Sequence, residues 1–102
     1  MKRLEVILNP TAVNDLFEIG SRVYRLTGNS ALARAYTARI RATCERIGDV
    51  PLGGRTRDEL GIGVRSWAFE RRAVILYRVI SRHVVVLRIA HRGRHLETLQ
   101  LN

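Results

Sequence analysis

The side chains best suited to chemistry fall in the second half of the chain. Arg65, Arg88 and Arg94 are cations that could surround the charge developing on a phosphorane, and His91, His95 or Glu97 could move its protons. Cleavage of RNA through a ribose 2′-hydroxyl needs such a set: a base, an acid and fixed positive charge. A catalytic reading therefore rests on Arg65, Arg88, His91 and Glu97. The alternative is recognition without turnover. Arg55, Arg57, Arg65, Arg78, Arg88, His91 and Arg94 would then hold a phosphate or carboxylate partner, since the planar guanidinium fork suits both. On a basic surface coincidence yields a histidine–arginine set more often than catalysis does, so recognition is the stronger expectation.

Charge supports that emphasis. The 102 residues carry 18 Lys plus Arg against 9 Asp plus Glu, a formal net charge of +9, and Lys2 is the single lysine. The excess grows toward the C-terminus, where residues 55–102 hold ten arginines and four acids. A nucleic acid and an acidic protein both fit. The one cysteine, Cys44, offers neither an internal disulfide nor a metal cluster, and at helical spacing it reads as a small buried hydrophobe. Gly53-Gly54 lacks the lysine and the following helix of a phosphate-cradling loop, so neither a nucleotide, a cofactor nor a metal is expected. No apolar run approaches the roughly 20 residues of a membrane span, and Asn9-Pro10 ends the first one too early for a signal sequence. A cytoplasmic protein is the expectation.

With 46% hydrophobic residues, the length suits one domain over residues 1–102. Leu4, Val6 and Leu8 alternate with Glu5 and Ile7, which predicts a strand. Asn9 then offers a capping side chain and Pro10 a residue fit for the first helical position. Val13, Leu16, Phe17, Gly20, Val23 and Tyr24 predict the apolar stripe of a helix that Gly28 ends. Ser30 is expected to cap a second helix, with Leu32, Ala33, Tyr36, Ile40, Cys44 and Ile47 inward and Gly48 as its stop. The short link Gly28-Asn29 folds the two into an antiparallel hairpin. Residues 48–63, rich in glycine, read as a long loop without regular structure. Runs at 64–69, 73–80 and 83–90 predict three antiparallel strands, and the tail at 92–102 a last turn or strand. Trp67 and Phe69 share a strand face with Arg65, where packing under the helices is expected in preference to base stacking. Tyr77 sits mid-strand, where its ring is expected in the core with the hydroxyl locally bonded.

The resulting order is β-α-α-β-β-β, an α+β two-layer domain with a helical hairpin on one face of an antiparallel sheet. The arginines are expected on the open face.

Several pieces of the chain resemble the RelE/ParE superfamily of bacterial toxin-antitoxin toxins. They are Leu8-Asn9-Pro10 with Ala12 and Asp15-Leu16; Gly54-Arg55-x-Arg57-Asp58-Glu59-Leu60; Gly63-Val64-Arg65-Ser66; Tyr77-Arg78-Val79; and Val86-Leu87-Arg88-Ile89-x-His91-x-x-Arg94-x-Leu96. The glycine-led arginine loop is closer to the ParE branch. The resemblance implies a toxin, of the kind used in plasmid stabilisation, neutralised by an acidic antitoxin from the adjacent gene. ParE-like members poison DNA gyrase and are not nucleases, whereas RelE-like members cleave mRNA in the ribosome. The latter commonly keep a catalytic tyrosine or histidine near the C-terminus, and no tyrosine follows Tyr77 here.

Overall fold

A computed structural model describes residues 2–91 and 94–101. The chain forms β1 (Glu5–Leu8), α1 (Pro10–Thr27), α2 (Ser30–Ile47), β2 (Arg55–Thr56), β3 (Arg65–Phe69), β4 (Ala73–Ile80) and β5 (His83–His91), with 3₁₀ turns at Asp58–Leu60 and Leu96–Thr98. The expected tail element is thus the single turn at Leu96–Thr98, while Arg92, Gly93 and Asn102 lie outside the described residues.

Local chemistry sets the helix ends. Pro10 opens α1, but the Asn9 side chain makes no capping bond; its backbone carbonyl receives the Ala12 and Val13 N–H groups instead. Gly28 closes α1 at φ 65°, a left-handed conformation that favours glycine, and its N–H bonds the Tyr24 carbonyl at 2.7 Å. The cap of α2 is Asn29, not Ser30, because the Asn29 side chain accepts the Leu32 N–H at 3.0 Å.

The strands form one sheet in the order β1-β5-β4-β3-β2. β3, β4 and β5 make the expected antiparallel meander, and β1 joins it parallel to β5, from Glu5 opposite His83 to Leu8 opposite Val86. The sheet is therefore mixed at that one edge. Both hairpin turns work without glycine: Glu70 and Arg71, then Ser81 and Arg82, take the positive φ that tight hairpins require. Between Leu76 and Tyr77 the register slips, so that Leu87 is an extra residue on β5.

The hairpin α1–α2 covers one face. Ile40, Cys44 and Ile47 of α2 meet Ile75, Tyr77 and Val86 of the sheet, all without solvent exposure. On α1 the buried positions are Ala12, Asp15 and Leu16, so the expected stripe is turned away from the sheet except at Leu16. Phe17 is 73% exposed and Tyr24 52%. The opposite sheet face is not open either. Leu96, Leu99 and Leu101 fold back over Val64, Leu76 and Leu87 to form a second apolar cluster. Three leucines two or three residues apart give the tail a continuous side to bury, which corrects the expectation of an arginine-lined open face.

The segment 48–63 is more ordered than expected. Its edge strand β2 pairs with β3, and one buried side chain pins what precedes it: the Tyr77 hydroxyl donates to the Pro51 carbonyl and accepts the Gly54 N–H, both at 2.9 Å. A β-carbon at Gly54 would collide with that hydroxyl. Burial pushes the Tyr77 pKa up, so the proton needed for this bridge stays in place. Tyr77→Phe keeps the ring but orphans a buried donor and a buried acceptor. It should lower unfolding free energy by about 1–3 kcal/mol, read by urea titration.

Candidate functional site

Arg88 and Asp15 meet where β1 gives out. β1 ends at Leu8, and the Asn9 N–H still reaches the Val86 carbonyl at 2.9 Å. Beyond that point side chains of α1 serve the edge of β5: the Thr11 hydroxyl donates to the Leu87 carbonyl and Asp15 Oδ2 accepts the Ile89 N–H, each at 2.9 Å. Thr11 and Asp15 are four residues apart, hence one above the other on the helix. Arg88 then grips the same carboxylate with two bonds, Nε to Oδ2 at 2.7 Å and Nη2 to Oδ1 at 2.9 Å. The pair is nearly removed from water, with side chains 13% and 6% exposed. The bond to Asp15 raises the Arg88 pKa, so its charge is permanent. A third bond, from Nη1 to the Gln100 carbonyl at 3.2 Å, holds the tail.

Arg65 and Arg78 are also engaged in holding backbone. Arg65 Nη1 donates to the carbonyls of Leu52 and Gly54 at 3.0 and 2.9 Å, and Arg78 Nε to that of Ile62 at 3.0 Å. Three of the arginines singled out in the sequence thus position loops and tail. Arg55 is exposed on β2, while Arg57 pairs with Glu59 at 2.7 Å and holds that carboxyl below the usual range. Glu97 is lowered chiefly by a bond to its own backbone and then by His95, whose Nδ1 lies 3.3 Å away. His91 and Arg94 line a cleft against α1 with Arg22 and Arg25, and that cleft contains none of Arg65, Arg88 or Glu97.

Trp67, Phe69 and Cys44 take the packing roles expected of them. Phe69 meets Tyr36 edge-on at 5.6 Å, and burial pushes the Cys44 thiol up to about 12. Outside this contact Arg39 lies 5.3 Å from the Tyr36 ring and bonds Glu70 at 3.0 Å. Among the described residues no group of three His, Cys, Asp or Glu is placed to hold a metal, and no helix is long and apolar enough to cross a membrane.

One surface feature has no counterpart in the expectations from the sequence. A groove of about 780 Å³ runs along the outside of the hairpin, floored by Val13, Phe17, Gly20 and Tyr24 and edged by Arg25, Arg34 and Arg41. At Gly20 a β-carbon would come within 3.1 Å of Thr37, so glycine there lets the helices close up beneath the groove. The signal was present: α1 carries Ala12, Leu16 and Ile19 as well as Val13, Phe17, Gly20 and Tyr24, and one sheet cannot bury both sets.

The ParE toxin of the type II toxin-antitoxin system parDE provides a family model that matches residues 6–96. The chain belongs to this family and is a ParE-type toxin of a type II toxin-antitoxin system. Its fold is similar to that of a chain in a chromosomal ParDE system from P. aeruginosa, with a TM-score of 0.77 and 23% identity over 87% of this chain and 96% of the other. A chain of the RelBE2 toxin-antitoxin complex from Mycobacterium tuberculosis is similar at a TM-score of 0.65 and 25% identity, covering 92% of this chain and 97% of that one. No curated protein matches significantly.

Asp15→Ala should cost about 3–5 kcal/mol in a urea titration, because it strands a buried guanidinium. Adding Arg88→Met to it should recover part of that loss, the signature of a coupled pair.

Proposed function

We propose that this toxin arrests growth by binding DNA gyrase and trapping it on cleaved DNA, and that a cognate antitoxin holds it inactive. The observation that carries the reading is the family match over residues 6–96, with the ParE-like loop at 55–60 inside it. Engagement of Arg65 with two carbonyls and of Arg88 with Asp15 favours a binding role over catalysis, since neither guanidinium is poised for a scissile phosphate. Arg55, Arg57, His91 and Arg94 are the proposed contact residues. Arg65, Arg78 and Arg88 act through the segments they hold.

The hairpin groove supports an antitoxin partner, because a monomer rarely leaves so much contiguous apolar surface wet. The neighbours described above are named as toxin-antitoxin systems, and an amphipathic acidic segment fits an apolar floor edged by arginines.

Purified toxin should inhibit gyrase supercoiling and accumulate cleaved DNA; undisturbed supercoiling at saturating toxin would remove the reading. Codon-phased cuts by primer extension after induction would instead establish the mRNA endonuclease. Val13→Asp with Tyr24→Asp should weaken antitoxin binding at least about tenfold by calorimetric titration while leaving the exposed helix folded, because two charges must then be desolvated in the groove.

A further inference from the structure

Next to the hairpin groove, with which it shares Phe17, Ser21 and Arg25, lies a cleft of about 450 Å³ on which Arg22, Arg25 and Arg94 converge. Arg22 and Arg25 are three residues apart and so share a helix face, while Arg94 arrives from beyond β5. Among the described residues no carboxylate pairs with any of these three. Two acids line the cleft. Asp15 is already neutralised by Arg88, and Glu18, bonded by Asn14 at 3.4 Å, is the one left. Phe17 stands on the rim, 73% exposed.

A second cleft of about 510 Å³ shares Ile19, Arg22 and His91 with the first, so the two form one trough. It adds Arg39, which Glu70 neutralises, and Arg72. Arg94, Arg25, Arg22 and Arg72 therefore line the trough together, with the exposed Phe17 ring beside them.

We propose that this trough is a nucleic-acid site, in which Arg22, Arg25 and Arg94 bind successive phosphates of a single strand and Phe17 stacks on a base. A row of unpaired guanidinium groups beside an aromatic platform is the chemistry that holds single strands without reading sequence. An acidic peptide is the weaker fit, because it would draw affinity from apolar anchors, and the cleft where Arg22, Arg25 and Arg94 meet is lined by fewer of them, Phe17, Ile19 and Ile89, than the adjoining hairpin groove. The inference goes beyond the gyrase reading and does not depend on it.

The test is fluorescence anisotropy of the full chain with short labelled single-stranded DNA, single-stranded RNA, duplex DNA and an oligoglutamate peptide, across a salt series. Arg22→Glu with Arg25→Glu should weaken single-strand binding at least about tenfold and make the log–log salt slope shallower by about 1.4, roughly 0.7 for each phosphate lost. Phe17→Ala should weaken it about 5- to 100-fold. Arg46→Glu with Arg82→Glu makes the same charge change at the other end of the sheet and should stay within about twofold of wild type. Equal losses from the two charge reversals would overturn the proposal, as would tighter binding of oligoglutamate than of either strand. Duplex DNA binding unaffected by Phe17→Ala and as tight as single strands would overturn the stacking role.

Discussion

The bidentate contact of Arg88 with Asp15 decides how the two layers of this protein meet. A carboxylate on the inner face of a helix is costly unless its oxygens find donors, and here three N–H groups serve: two from the guanidinium and one from the Ile89 backbone. The geometry follows from the early end of β1. Where that strand stops, β5 has an unpaired edge, and α1 crosses it with Thr11 and Asp15 in the places a further strand would fill. The extra residue Leu87 lies next to Arg88, and the same guanidinium reaches the tail that lays its leucines over the second apolar cluster. Helix, sheet and tail are thus registered by one ion pair.

That arrangement divides the arginines by task. Arg65, Arg78 and Arg88 donate to carbonyls of the loops at 52–54 and 62 and of the tail, giving order to segments that would otherwise be glycine-rich and loose. The α1 arginines and Arg94 have no such duty and remain at the surface. A high arginine count in a small protein therefore does not translate directly into binding surface. Some of these cations stand in for core that a chain of this size lacks, because a guanidinium can serve several carbonyls at once.

The elements themselves were largely legible in the sequence, since they depend on local pattern. Alternation at 4–8, the stops at Gly28 and Gly48, and the three β-rich runs place β1, the hairpin and the meander. What needed a tertiary partner was not. Asp15 lies on the buried side of α1 through its pair with Arg88, where hydropathy points a carboxylate outward, and so pattern alone does not show which face of α1 meets the sheet. The strand at 55–56 is too short to show a period and exists because Tyr77 and Arg65 hold its entrance. Among the candidate residues, the sequence alone cannot tell a guanidinium bound to a carbonyl from one facing water.

The parallel seating of β1 on β5 also has a bearing on how the molecule is made. Glu5 pairs with His83, a separation of 78 positions, so β1 has no seat until β5 has been synthesised. At about 5–20 residues per second that interval is roughly 4–16 s. β1 therefore stays unseated until β5 has emerged, and the mixed edge of the sheet is the last part of it that synthesis permits to form.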